Sequence, residues 1–269
     1  MTTALEMRIR SGAERVELAR LEESLEQLRL ALSEIDRAYH LRGSRPKWVI
    51  ADLASRGADI EVRITADRPR NRDARSVLAP IDALVAGVDR LQREPEVPEY
   101  YTERTVERIL ALGEPGRGVQ EVSLATVNGS PGRFFPVSEP VRAHAQQAVQ
   151  GAYTSLGSVT GWLDTMSARR MHKGLLVVGL YDPETRRAVT GYLSADMAEE
   201  AHDLYWRKRV IAKGEITRNG RGQAVRIKIE ELEELEERGR ASVDDLLGIA
   251  PDWLGGQDVD EYTEEARRA

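Results

Sequence analysis

The segment LLVVGLYDPETRRAVTGYLS, residues 175–194, has the pattern of a β-hairpin. Two apolar stretches flank Asp182-Pro183-Glu184-Thr185, whose residue types are typical of a tight turn. Further strand patterns lie on either side of this hairpin, at Leu156–Met166, Arg209–Thr217 and Ala224–Glu230, and one helix is predicted near Asp196–Trp206. The sequence therefore predicts five strands, with a single helix between the third and the fourth.

This order of elements is that of the oligonucleotide-binding (OB) barrel. We therefore predict an OB-like β-barrel over residues 152–231. The preceding residues, 1–151, show helix and strand patterns in the order β-α-β-β-α-α-β-β-α, which predicts a two-layer α+β domain. Residues 232–269 follow as an acidic tail, and the Glu- and Leu-rich stretch Ile229–Arg238 predicts a helical extension that leads into it.

Two predicted helices of the first domain carry informative patterns. An apolar stripe with spacings of three and four residues runs from Leu18 to Ile35. We interpret this stripe as a face that packs on a sheet, although the same spacing is compatible with the seam of a homodimer. The second helix, over Asp73–Arg93, contains Pro80, which predicts local strain or a kink.

The composition excludes several classes of protein. Hydrophobic residues make up 41% of the 269, which is enough for a globular core. No apolar run is long enough for a membrane-spanning helix, and the first residues lack the apolar stretch of a secretory signal. The absence of cysteine excludes disulfides, thiol nucleophiles and thiolate metal sites. We therefore expect a cytoplasmic protein that does not bind a membrane.

The sequence contains no recognisable catalytic or metal-binding motif. Its four histidines, His40, His144, His172 and His202, are scattered and have no metal-ligand spacing. No Gly-x-Ser-x-Gly nucleophile motif occurs. We therefore predict no catalytic residues, no metal and no cofactor. The alternative, an enzyme whose site is assembled from scattered residues, requires a deep pocket lined by convergent polar groups.

Charge is distributed unevenly along the chain, whose net charge is −6. Residues 152–229 carry 13 Lys and Arg against 8 Asp and Glu, a net of +5. Residues 230–269 carry 4 against 14, a net of −10. A basic module followed by an acidic tail indicates that the tail binds a partner, keeps the protein soluble or covers the basic module.

The outer face of the predicted barrel is a candidate surface for nucleic acid. Strand alternation directs Trp162 and Tyr192 outward, where they form two aromatic platforms. The cations expected near them are Lys213, Arg226 and Lys228 on the strands, and Arg169, Arg170 and Lys173 between the first two strands. Single-strand-binding barrels stack bases on rings while Lys and Arg contact the phosphates. The alternative is that both rings pack against the N-terminal domain.

The tail retains large apolar residues that a purely solubilising segment does not need. They are Leu246, Leu247, Ile249, Trp253, Leu254 and Tyr262. An extended segment with such anchors can wrap the groove of a partner and become ordered on binding. We therefore predict that the tail docks on another protein.

Two parts of the sequence resemble known groups of proteins. LGSVTGWL (156–163) and YDPETRRAV (181–189) resemble a C-terminal OB-like module of uncharacterised bacterial proteins. SVDDLLGIAPD (242–252), with Gly255-Gly256 and DVDEY (258–262), resembles C-terminal segments of antitoxins that pair with PIN-domain ribonucleases. The second resemblance implies that a ribonuclease is the partner, with Arg267 and Arg268 entering its acidic, metal-binding site.

Together these patterns predict a non-catalytic interaction protein whose tail docks on, and restrains, a partner such as a PIN-type ribonuclease. The alternative is a single-stranded nucleic-acid-binding protein that uses the outer face of the OB-like barrel. Both functions can coexist, because a tail of net charge −10 can cover a barrel of net charge +5 until a partner removes it.

Overall fold

The computed structural model describes residues 3–12, 14–40, 43–128, 132–168 and 174–235. Within these ranges the chain is a mixed α+β protein with five α-helices and two five-stranded sheets. The eight tail residues predicted to dock on a partner, and the cations Arg169, Arg170 and Lys173, lie outside the described residues.

The first half of the chain has the element order that the sequence predicts. Its strands are β1 (Ala4–Ser11), β2 (Lys47–Arg56), β3 (Asp59–Asp67), β4 (Val119–Val127) and β5 (Phe135–Pro136), arranged in the order β2-β3-β1-β4-β5. All neighbouring strands are antiparallel. Its helices are α1 (Leu18–Tyr39), α2 (Ala74–Arg93), α3 (Glu103–Leu112) and α4 (Glu139–Val149).

The two faces of this sheet differ in chemistry. Apolar side chains such as Met7 and Leu124 are buried in a core with residues of all four helices. The residues between them carry cross-strand ion pairs, including Arg8–Glu61 at 2.9 Å and Arg63–Glu6 at 3.1 Å. This alternation of apolar and charged residues gives each strand one buried face and one polar face.

The apolar stripe of α1 is buried only in part. Leu28, Leu32 and Ile35 are fully buried, whereas Leu18, at the start of the helix, is 79% exposed. The predicted stripe therefore faces the core in its second half. There α1 shares the core with the sheet and contacts mainly α2 and α3. Leu18 lies in the first turn, where the helix has not yet reached the core.

Pro80 lies inside α2 and its missing N–H has a structural consequence. In a regular helix the N–H of residue 80 would donate to the carbonyl of Ser76, and proline has no N–H to make this hydrogen bond. His40 Nε2 lies 2.8 Å from this carbonyl oxygen, and Arg72 Nη2 donates to it at 3.3 Å. Pro80 thus frees an acceptor that ties α2 to the C-terminal end of α1.

The second half of the chain forms a closed sheet. Its strands are β6 (Tyr153–Ser167), β7 (Leu175–Asp182), β8 (Arg187–Ser194), β9 (Arg209–Arg218) and β10 (Ala224–Glu234). They pair in the order β10-β8-β7-β6-β9, and β9 pairs with β10 to close the barrel. Only β8 and β10 are parallel among these pairs. The helix α5 (Ala198–Leu204) lies between β8 and β9 in the chain, and Leu163, Val189 and Ile227 belong to the barrel core.

The last strand contradicts the helical extension predicted over Ile229–Arg238. β10 continues to Glu234, and Leu232 pairs with Ala212 of β9 and is buried in the barrel core. Glu231 and Glu233 alternate with it and both bind Lys213. The Glu content alone gave the wrong prediction, because pairing with β9 decides the structure of this segment.

Specific contacts join the barrel to the first half, and residues 1–235 form one compact unit. The buried Asn219, in the turn between β9 and β10, donates to the carbonyl of Ala148 at 2.8 Å. Gln223, in the same turn, accepts from the backbone N–H of Val97 at 2.9 Å. Ala38 of α1 packs against Tyr181 on the outer face of the barrel. Arg226, one of the residues predicted to bind nucleic acid, also contacts the first half, where it pairs with Glu103 of α3 at 2.8 Å.

Candidate ligand-binding pocket

The five described residues of the predicted nucleic-acid surface do not form one cationic patch. Lys213 binds Glu231 at 3.2 Å and Glu233 at 2.5 Å. Arg226 binds Glu103 of α3 at 2.8 Å. Lys228 is exposed and pairs in register with Tyr192. The predicted outward direction is correct for these strands, but two of the three cations are neutralised by carboxylates of the protein itself.

Trp162 lies elsewhere, in a pocket between α1 and the end of the barrel. The pocket has a volume of about 620 Å³ and is lined by Tyr39, His40, Tyr100, Trp162, Tyr181, Pro183 and Trp206. Five of these seven residues are aromatic. The predicted alternative was that Trp162 packs against the N-terminal domain. In the structure its side chain lines a cavity together with Tyr39, His40 and Tyr100 of the first half of the chain.

Each ring is held by a different element of the fold. Tyr39 and His40 stand at the C-terminal end of α1, and Tyr100 precedes α3. Trp162 and Tyr181 are cross-strand partners on β6 and β7. Trp206 comes from the turn after α5. The pocket therefore exists only when both halves of the chain are folded and packed together.

Two of the aromatic residues have an unusual backbone conformation. Tyr100 has φ 64° and Trp206 has φ 60°, in the left-handed region that side chains other than glycine rarely adopt. Hydrogen bonds hold both in place. The N–H of Tyr100 donates to the carbonyl of Arg186 at 3.0 Å, and that of Trp206 to the carbonyl of Leu163 at 3.2 Å. Such conformations cost free energy and cluster at functional sites.

Further contacts fix the orientation of the rings. The Tyr39 and Tyr100 rings lie 4.6 Å apart between centroids, and those of Tyr100 and Tyr181 are stacked at 6.2 Å. The indole N–H of Trp206 donates to the carbonyl of Asp164 at 2.7 Å. Burial raises the pKa of the Tyr100 and Tyr181 hydroxyls, so both remain protonated at neutral pH.

Two guanidinium groups lie over the outer rings of this cluster. Arg45 lies 5.6 Å from the Trp206 ring and Arg186 lies 6.0 Å from the Tyr100 ring. Each is also paired with a carboxylate, Arg45 with the buried Asp36 at 3.2 Å and Arg186 with Glu99 at 3.2 Å. The region around the pocket therefore carries cations whose charge is already balanced in part.

A second cavity adjoins this pocket along α1 and β6. It is a polar groove of about 770 Å³ between α1, α3 and the outer face of β6, β7 and β8. Arg37 lines it from α1, Arg104 and Glu107 line it from α3, and Asp164 lines it from β6. Both Arg37 and Arg104 are exposed.

Asp164 is the one buried carboxyl of this groove. It occupies an irregularity in the pairing of β6 with β7, where Leu163 pairs with Leu180 and Thr165 with Gly179. Burial raises the pKa of Asp164 to about 6, while the charges of Arg37 and Arg45 and a hydrogen bond with Thr165 oppose the increase. A Cβ at position 179 would lie 2.3 Å from Oδ1 of Asp164, so Gly179 makes room for this carboxyl.

Sequence reasoning missed four of the five pocket rings and Asp164. Tyr39 and Tyr100 lie in the other half of the chain, and nothing in their local sequence indicates that they meet Trp162. Tyr181 and Trp206 belong to the aromatic-rich second half, and that enrichment was the available signal. Asp164 belongs to no recognisable motif. The direction of its side chain depends on an irregularity in strand pairing that the local sequence does not reveal.

Within the described ranges, no group of three or more His, Asp or Glu side chains is arranged to hold a metal ion. None of the helices in that part of the chain is long and apolar enough to cross a membrane. Comparisons with protein-family models, with curated proteins and with solved structures found no match for this chain.

Proposed function

We propose that this protein binds single-stranded nucleic acid and takes an unpaired base into the aromatic pocket. The observation that carries the proposal is the convergence of five aromatic side chains on one cavity of about 620 Å³. Ligand pockets of this size, lined by rings and a few polar groups, occur preferentially where two parts of a fold meet. Stacking on such rings tolerates any base, because every base has a π-face.

We also infer that the barrel is of the OB class. In support, the strands pair in the order first-second-third-fifth-fourth, the third and fifth are parallel, and the helix follows the third strand. OB barrels bind oligonucleotides and oligosaccharides with the face around their second and third strands. Tyr181 lies on the second strand and pairs with Trp162 on the first, so the pocket borders that face.

The charges around the pocket favour binding that depends moderately on salt. Arg45 and Arg186 can contact a phosphate while they lie over the rings, but their pairs with Asp36 and Glu99 reduce the gain. Stacking then supplies most of the affinity, at about 1–3 kcal/mol for each base by alanine substitution.

The experiment compares two tyrosines that differ in position. Tyr39 lines the pocket and is 38% exposed, whereas Tyr153, at the start of β6, is 51% exposed and does not line it. Binding of a fluorescent oligonucleotide of about ten mixed nucleotides would be followed by anisotropy. We expect Tyr39→Ala to weaken binding about tenfold and Tyr153→Ala to leave it unchanged.

Several outcomes would contradict the proposal. One is the absence of oligonucleotide binding by the wild-type protein at low salt. Another is an equal effect of Tyr39→Ala and Tyr153→Ala. Binding of a proline-rich peptide in place of the oligonucleotide would assign the aromatic pocket to peptide recognition instead.

A further inference from the structure

The groove beside the aromatic pocket contains one buried carboxyl group, that of Asp164. Asp164 is 5% exposed, and no cation lies within 4 Å of it among the described residues. The polar groups that bond to it are its own backbone N–H and the side chain of Thr165. A buried carboxylate with so few partners is costly. Such a group indicates that a ligand completes its hydrogen bonding.

The position of Asp164 depends on the irregular pairing of β6. An extra residue in one strand interrupts the regular alternation of side chains and points its own side chain in a new direction. Such bulges are over-represented next to active sites. Here the extra residue lies between Leu163, which is in the barrel core, and Thr165, which faces the groove. The missing side chain of Gly179 provides the space. Two features of the sheet thus place one carboxyl in the groove.

This carboxyl lies next to the rings of the pocket. The carbonyl of Asp164 accepts the indole N–H of Trp206 at 2.7 Å, and Trp162 precedes Asp164 by two residues on the same strand. The carboxylate itself lies close enough to Tyr181, which lines the pocket, to raise the pKa of its hydroxyl. A group that contacts the Asp164 carboxylate is therefore adjacent to a ring stacked in the pocket. In a nucleotide, the group attached to the stacked base is the sugar.

The charges that face the carboxyl keep it available as an acceptor. Arg37 of α1 and Arg45 both favour the ionised form. Since an ionised carboxylate only accepts hydrogen bonds, its natural ligand is a hydroxyl or an amine of the bound molecule. Ribose offers such a donor in its 2′-hydroxyl, and deoxyribose lacks it.

We propose that Asp164 accepts a hydrogen bond from the 2′-hydroxyl of the nucleotide bound in the aromatic pocket, so that the protein selects RNA over DNA. This inference rests on the proposed binding of an unpaired base. It adds the chemical class of the ligand and assigns the selection to one side chain. Cation binding is a poorer explanation, because Arg37 and Arg45 already face the carboxyl.

The test uses three oligomers of about ten nucleotides that carry the same base: oligo(U), oligo(dU) and 2′-O-methyl oligo(U). The methylated oligomer keeps the 2′-oxygen but has no hydrogen to donate. We expect the wild-type protein to bind oligo(U) about tenfold more tightly than either of the other two, since a hydrogen bond to a charged group is involved.

Variants then assign the selection to Asp164. We expect Asp164→Ala to remove the preference while the affinity for oligo(dU) stays within about twofold of wild type. Asp164→Asn keeps an acceptor oxygen without the charge and should retain a smaller preference. The matched control is Glu107→Gln, which removes a carboxylate from the exposed rim of the same groove and should leave the preference intact.

Each result distinguishes this inference from the proposed function. Equal binding of the three oligomers by the wild-type protein would overturn the inference while base binding stands. A full RNA preference in Asp164→Ala would do the same. Undetectable binding of all three oligomers would overturn the proposed function and the inference together. The wild-type comparison with the methylated oligomer needs no variant, so misfolding of Asp164→Ala would not prevent the test.

Discussion

At the scale of single residues, the burial of Asp164 has a cost that depends on pH. Burial raises its pKa from 3.8 to about 6, so between these values the folded state binds more protons than the unfolded state. The free energy of unfolding therefore increases as the pH falls from above 6 towards 4. Above pH 6 the carboxylate is charged in both states, and its burial costs about 3 kcal/mol.

We therefore predict that Asp164→Asn stabilises the protein at neutral pH. The amide does not titrate, so the gain should approach about 3 kcal/mol above pH 7 and disappear near pH 4, where the wild-type carboxyl is protonated in the folded state. Urea unfolding at several pH values measures this difference. If the two proteins differ in the free energy of unfolding by an amount that does not depend on pH, the buried charge of Asp164 is not what destabilises the wild-type protein. A variant that is more stable but binds RNA less selectively would mark Asp164 as a residue kept for function.

At the scale of secondary-structure elements, the start of α3 positions one wall of the aromatic pocket. Thr102 accepts from the N–H of Thr105 at 3.1 Å, and Thr105 accepts from the N–H of Thr102 at 3.3 Å, which forms a reciprocal cap. Tyr100, with its left-handed backbone, and the fully buried Tyr101 immediately precede this cap. The cap therefore fixes the direction in which the chain enters the helix.

We predict that Thr102→Ala lowers the free energy of unfolding by about 1 kcal/mol, since it removes the side-chain acceptor of the cap. Thr102→Ser retains the hydroxyl and should behave like the wild-type protein. Urea unfolding measures the stability, and oligonucleotide anisotropy should show weaker binding by the alanine variant alone. If both variants lose stability equally, the methyl group of Thr102 and not its hydroxyl is responsible.

Strand alternation predicted that Trp162 and Arg226 face outward, because the period of a strand is a local property. It could not predict that Arg226 meets Glu103 or that Trp162 meets Tyr39, because these contacts join parts of the chain far apart in sequence. The extension of β10 to Glu234 was missed for a related reason. Its pairing with β9, and not its own composition, decides its structure.

In the molecule as a whole, the barrel and the tail carry net charges of opposite sign, +5 over residues 152–229 and −10 over residues 230–269. The tail's docking on a partner protein, including a PIN-type ribonuclease, remains a prediction from residues 246–268 and their resemblance to antitoxin segments. Its charge has a consequence that does not depend on any partner. Residues 239–269 carry 3 Arg against 8 Asp and Glu, so their removal changes the net charge of the chain from −6 to −1.

We predict that a chain ending at residue 238 binds a single-stranded oligonucleotide more tightly than the full chain, because it removes charge of the same sign as the ligand. Residues 1–235 form a compact unit, which this truncation leaves whole. The difference should be several-fold at low salt and should shrink above roughly 0.2 M salt, where the Debye length falls below about 8 Å. Anisotropy titrations of both chains at several salt concentrations measure it. A gain that persists at high salt would indicate that the tail blocks the pocket by direct contact, and equal affinities at every salt concentration would exclude the tail as a cover for the barrel.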